Sequence, residues 1–218
     1  MKYNTKVINM FGGPGAGKSV AAMELTARLK RAGKTAEYVT EVAKDLVHED
    51  TTVLYRYQDW ISAEQNRRQG RLIGQYEYIV TDSPLLLGIF YCPPNYYPSF
   101  KQLILEKFWS YDNINFYLHR NSPYEAIGRY QDENGAKRLD LQIQSYLRHN
   151  GIQFQNITSD DNIGQNLMDA MFPPAPVIVP PRFKPEHVAA ARNICASSTI
   201  ERPWPFPEPA KFKSNDGA

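Results

Sequence analysis

Cysteine is scarce in this chain. Two residues, Cys92 and Cys195, among 218 argue against a disulfide framework or a zinc site and fit a reducing cytoplasm. The four histidines, His48, His119, His149 and His187, are scattered and lack metal-ligand spacing. No apolar run approaches the roughly 18 residues that a membrane span needs. The first apolar stretch, residues 6–11, is too short for a secretion signal and runs straight into glycines. An excess of charge of one sign is missing as well. The net charge is +2, and residues 1–172 hold 19 basic and 19 acidic side chains. A chain that grips duplex phosphates would show a basic excess. No internal repeat is present, and nothing in the sequence fixes the oligomeric state, so a homo-oligomer stays open.

Strands and helices alternate along the rest. Residues 6–11, 35–40, 78–81, 114–118 and 152–157 read as strands. Helices are expected from Ser19 to about Arg31, with Ala22, Leu25 and Leu29 on one face and Gly33 as the C-terminal stop. Further helices are expected over 53–72, 98–109, 123–130, 137–149 and 162–171, with a polar turn at 132–135. This alternation implies an α/β fold: one doubly wound, mostly parallel five-stranded sheet covered on both faces. That domain spans residues 1–172. The composition then shifts, because ten of the 16 prolines fall in residues 173–218. Such a segment cannot continue a helix or sit inside a sheet. It reads as a Pro-rich extended C-terminal tail with room for a short helix near 186–195. A polyproline site for a protein partner is the alternative reading.

The strongest chemical signal is Gly12-Gly13-Pro14-Gly15-Ala16-Gly17-Lys18-Ser19, which fits Gly-x-x-x-x-Gly-Lys-Ser between a strand and a helix. The glycines let successive backbone N–H groups turn toward phosphate oxygens, and the helix adds its positive end. Lys18 is placed to follow the β- and γ-phosphates, and the Ser19 hydroxyl to bind Mg²⁺. The expected fold is therefore a P-loop NTPase fold. Asp82 ends the third strand, where it either holds Mg²⁺ or caps the next helix. Ser83 follows it, not a second carboxylate, which favours transfer to an acceptor over hydrolysis. No Asn-Lys-x-Asp base-reading motif is present, so ATP is the expected donor.

Glu41 ends the second strand, on the edge of a parallel sheet where ligands bind. It is a candidate to orient or deprotonate an acceptor hydroxyl, or else a solvated loop charge. Lys44 and Asp45 follow one helical turn on. Arg120, Arg129, Lys137 and Arg138 surround the polar turn. Arginine forks stabilise the charge on a transferring phosphoryl group, so Arg129 is a candidate catalytic residue, with Arg120 and Arg138 as nucleotide-binding candidates. Aromatic residues gather at Tyr55, Tyr57 and Trp60 and at Phe90, Tyr91, Tyr96, Tyr97 and Phe100. Each is either core or a face for stacking a nucleobase.

Residues 8–19, 40–46 (Thr-Glu-Val-Ala-Lys-Asp-Leu), 81–88 (Thr-Asp-Ser-Pro-Leu-Leu-Leu-Gly) and 128–131 (Gly-Arg-Tyr-Gln) give the chain a resemblance to a known family over roughly residues 5–160. It resembles the small bacteriophage P-loop kinases of the thymidylate-kinase and nucleoside-kinase group, and within it the 5-hydroxymethyluracil (5-hmdU) DNA kinases. The resemblance implies an ATP- and Mg²⁺-dependent kinase acting on a hydroxyl of a nucleotide-like acceptor, with modified DNA as the foremost case, in the cytoplasm of a phage host. A free nucleoside or nucleoside monophosphate kinase is the alternative. A nucleotide-dependent switch or adaptor is the rival of another class.

Overall fold

The computed structural model describes residues 2–121 and 133–173. The helix expected over 123–130, Arg129 with it, and the Pro-rich tail lie outside these residues. The chain divides into the units Met1–Pro174 and Ala175–Ala218, and everything described here belongs to the first.

Five strands form one sheet: β1 (Lys6–Phe11), β2 (Ala36–Val39), β3 (Tyr78–Thr81), β4 (Asp112–Arg120) and β5 (Gln155–Ser159). Their order is β2-β3-β1-β4-β5, and every neighbouring pair is parallel. The central strand β1 faces β3 on one side, with Asn9 opposite Thr81, and β4 on the other, with Phe11 opposite Tyr117. All five C-terminal ends therefore share one edge of the sheet, and the loop after β1 lies between those after β3 and β4. In open parallel sheets this edge is where ligands bind.

Alternation along β1 sends its side chains to both faces. Ile8 and Met10 pack with Ala22, Leu25 and Leu29 of α1 (Lys18–Arg31) and Leu167 of a C-terminal helix, Ile163–Met171. Phe11 packs on the opposite face with Ile104 and Phe108 of helix Pro98–Trp109 and Ile143 and Leu147 of helix Glu133–His149. Burying each of the larger side chains among these is worth about 1.5–3 kcal/mol. Between Val7 and Phe11, the 1% exposed Asn9 donates through Nδ2 to the Oδ1 atoms of Asn113 (2.9 Å) and Asn115 (3.0 Å) on β4. A buried amide is tolerated there because it is bonded.

In chain order the remaining helices are α2 (Val42–His48), α3 (Gln58–Gly70), α4 (Pro98–Trp109), α5 (Glu133–His149) and α6 (Ile163–Met171). Four features depart from the sequence reading. The helix expected over 53–72 is a 3-10 turn, Thr52–Arg56, and then α3, with a break at Tyr57 (φ −103°, ψ 68°). The β-branched Thr51-Thr52-Val53 start is a poor α-helical lead-in. The polar turn expected at 132–135 is in part helix, because α5 begins at Glu133. The last strand starts at Gln155 rather than 152. Gly151 (φ +67°) closes α5, and the Ile152 N–H returns to the Leu147 carbonyl at 2.9 Å, so the chain stays on the helix cap through Ile152. Finally, α2 and a 3-10 segment, Leu85–Tyr91, follow β2 and β3 where no helix was expected. Among the described residues no helix is long and apolar enough to cross a membrane.

Candidate active site

The loop at residues 12–19 joins β1 to α1, which starts at Lys18. Gly17 is the N-cap of α1, with φ +80° and ψ 14°. A side chain there would be strained by the backbone and would meet Ser159 Oγ on β5. The first turn of α1 carries no acidic residue of its own, which leaves its N–H groups and positive end available to an anion. Lys18 bends back over the loop, and its Nζ donates to the Gly13 carbonyl at 3.0 Å. The Gly13 N–H donates to Asp140 Oδ1 on α5 at 2.6 Å. A Cβ at Gly13 would sit 2.7 Å from that same oxygen. Asp140 also accepts from the Tyr117 hydroxyl at 2.9 Å and from the Arg120 guanidinium. The start of the loop is thus tied to β4 and α5 through one carboxylate.

Asp82 lies beside the loop because β3 is the direct neighbour of β1. Its residue is 1% exposed. Oδ2 accepts from Ser19 Oγ at 2.6 Å and from the Tyr38 hydroxyl at 2.7 Å, and Lys44 Nζ lies 3.5 Å away. Lys44 Nζ also donates to Ser19 Oγ at 2.5 Å. Oδ1 is buried and has no hydrogen-bond partner among the described residues. A buried carboxylate oxygen without a donor is costly, and a cation is its natural complement. Mg²⁺ uses one or two protein oxygens and takes its other ligands from phosphate and water, so Ser19 and Asp82 fit it. Among the described residues no cluster of three or more His, Cys, Asp or Glu side chains suits a metal, and this mode of binding needs none. The alternative role, capping, finds no bond: the 3-10 segment after Asp82 has Pro84 at its N-cap and no side-chain cap bond.

Glu41 is the N-cap residue of α2, with extended backbone (φ −67°, ψ 126°), and its carboxylate makes no cap bond. Burial pushes its carboxyl above the ordinary glutamate value, and the Lys18 ammonium is the largest opposing influence. Burial likewise lowers Lys18, and Glu41 is the first of three carboxylates, with Asp82 and Asp140, that counter it. The loop lysine and the strand-end glutamate are therefore electrostatic neighbours. Burial, reinforced by the bond to Asp82, keeps the Tyr38 hydroxyl protonated. Asp45 pairs with Arg68 of α3 at 2.6 Å.

The structure brings Gly12, Gly13, Pro14, Gly15, Ala16, Gly17, Lys18, Ser19, Glu41 and Asp82 to one end of the sheet. Arg120 also reaches the loop, paired with Asp140. Arg138 is exposed on α5. Among the aromatics Phe100 is core, whereas Tyr57, Trp60, Tyr91 and Tyr97 are exposed. The Tyr96 hydroxyl joins their two segments by donating to Asp59 at 2.5 Å. Sequence reasoning missed Tyr38, Tyr117 and Asp140. Tyr38 points to Asp82 only because β2 and β3 pair in register, with Val39 opposite Thr81. Asp140 was hidden by a gap of 127 residues to its Gly13 partner.

Residues 7–162 match the AAA domain family, and the chain belongs to it. The fold is a P-loop NTPase fold. It is similar to the thymidylate kinase of Ehrlichia chaffeensis, at 14% identity and a TM-score of 0.54, covering 77% of this chain and 97% of the other. It is also similar to the NadR protein solved in complex with NAD and AMP-PNP, at 15% identity and a TM-score of 0.55. That match covers 77% of this chain and 49% of NadR. At these identities the likeness is one of fold. No curated protein matches the chain.

Proposed function

We propose that the chain is an ATP- and Mg²⁺-dependent kinase that phosphorylates a hydroxyl on a nucleotide-like acceptor. One observation carries this reading: a P-loop lysine and serine share a site with Asp82, whose Oδ1 is buried and unpartnered among the described residues, while the next residue, Ser83, supplies no water-activating carboxylate. The fold shared with a thymidylate kinase and with a protein that binds NAD and AMP-PNP supports it.

Phosphoryl transfer passes through a loose transition state, so the protein contributes mainly position and charge. The N–H groups of residues 12–19 hold the phosphates, and Lys18 stabilises the oxygens that gain charge. Ser19 and Asp82 would hold Mg²⁺, which supplies charge neutralisation at the phosphates when bound. Glu41, half-buried and an electrostatic neighbour of Lys18, orients the acceptor hydroxyl and accepts its proton. Arg129, Arg120 and Arg138 are assigned to the phosphoryl oxygens, Arg120 by exchanging Asp140 for phosphate.

The particular acceptor proposed is the 5-hydroxymethyl group of 5-hydroxymethyluracil in phage DNA, on the strength of the four sequence segments given above. Incubation with γ-labelled ATP and a panel of acceptors tests it: hydroxymethyluracil-containing DNA, unmodified DNA, nucleosides and nucleoside monophosphates. Label on the modified DNA alone supports the assignment. Label on a free nucleoside or monophosphate corrects the acceptor and keeps the kinase. Release of inorganic phosphate with no labelled acceptor overturns the kinase reading in favour of a switch or adaptor.

A further inference from the structure

A lysine of the chain already contacts the two side chains assigned to the metal. Lys44, the third residue of α2, holds Nζ 2.5 Å from Ser19 Oγ and 3.5 Å from Asp82 Oδ2. The Ser19 hydroxyl gives its proton to Asp82 and offers a lone pair to Lys44. A metal bound through that hydroxyl needs the lone-pair side of the same oxygen. The two cations would also repel at this separation. Asp45 pairs with Arg68 at 2.6 Å, and Asp82 is the carboxylate within ion-pair distance of Lys44 among the described residues. The Lys44 side chain is 49% exposed, against 0% for that of Asp82, so its ammonium approaches from the solvent side and can leave without unpacking the core.

We infer that Lys44 is a built-in competitor for the metal, exchanged for a divalent cation at Ser19 and Asp82. It neutralises Asp82 when no divalent cation is there and sets the metal concentration at which the site loads. The exchange frees one positive charge in the first turn of α2, three residues after Glu41 and beside Ser19 of the loop. The inference rests on reading Ser19 and Asp82 as the metal-binding pair.

Mn²⁺ binding to the full chain without nucleotide, read by electron paramagnetic resonance of the free ion, tests both levels. Lys44→Met should bind Mn²⁺ about tenfold or more tightly than the parent, because a repelling charge is gone. Asp82→Asn should lose the site. Unchanged or weaker binding in Lys44→Met, with Asp82→Asn still defective, overturns the exchange alone. Parental affinity in Asp82→Asn overturns the metal reading beneath it. A second measurement needs no Lys44 variant. Acetylation of Lys44 in the parent protein, followed by mass spectrometry, should speed up when Mg²⁺ is added, and should not in Asp82→Asn. A Lys44 rate indifferent to Mg²⁺ in the parent contradicts the inference.

Discussion

Replacing Glu41 by Gln keeps the shape of the side chain and removes its charge. Two consequences of opposite sign follow. Transfer should slow, because a positioned general base is worth about a hundredfold to ten-thousandfold in rate. The loose transition state of phosphoryl transfer asks little of a base, so the low end is expected, a loss of about a hundredfold or roughly 2.7 kcal/mol of barrier. Stability should move the other way. Burial raises the Glu41 carboxyl above its ordinary value in the folded chain, so the fold prefers the neutral acid. Its stabilising contribution is complete below the ordinary glutamate value and is lost as pH rises through the raised folded value. The Gln variant escapes that loss. Its melting temperature should match the parent in acid and exceed it at neutral pH, because burial outweighs the Lys18 attraction. The acid limb of the parent's rate profile should lie above the ordinary glutamate range and vanish in the variant. ATP affinity should change by less than about threefold, or under 0.7 kcal/mol, since the phosphates are assigned to residues 12–19. Single-turnover transfer, ATP titration and melting across pH, all on one variant, decide the matter. Full transfer activity would move the base to Asp82 or Asp45. A matching fall in ATP affinity would assign Glu41 to the loop or metal. A variant less stable than the parent at neutral pH would contradict the burial argument.

Three further outcomes are expected. Lys18→Ala should lower transfer about a thousandfold, as loss of an electrostatic stabiliser does, with unchanged circular dichroism; near-normal turnover in the folded variant would remove the ATP site from this loop. Asp82→Asn should lose metal-dependent activity and recover part of it at raised Mn²⁺, whereas a variant that melts earlier and keeps its rate would make Asp82 structural. Asp140→Ala should cost about 1–3 kcal/mol of stability, because the Gly13 N–H, the Tyr117 hydroxyl and the Arg120 guanidinium all donate to it; an unchanged urea midpoint would show that this tie does not hold the loop.

The sheet was legible because β1, β3 and the middle of β4 are short apolar runs, and because α1 carries Ala22, Leu25 and Leu29 at helical spacing. The loop at 12–19 was legible as local chemistry: glycines, a lysine and a serine at fixed offsets. Asp82 and Glu41 were legible as acids at strand ends, once the strands were parallel. What stayed hidden depends on register and distance. Tyr38 meets Asp82 only through β2–β3 pairing. Asp140 meets Gly13 across most of the domain. Gly151 delays β5 through a helix cap that the apolar pattern of 152–157 conceals, and α2 is too short, at seven residues, to show a helical period.

The central claim is transfer rather than hydrolysis, and the partition of the γ-phosphate measures it most directly. Purified full-length chain is given γ-labelled ATP, Mg²⁺ and an oligonucleotide carrying 5-hydroxymethyluracil, with the Lys18→Ala variant alongside. Labelled phosphomonoester and inorganic phosphate are then quantified from the same reaction. The account predicts that most of the label lost from ATP appears on the acceptor, and that the Lys18 variant forms almost none. Label recovered only as inorganic phosphate, with every hydroxyl acceptor offered, would contradict it.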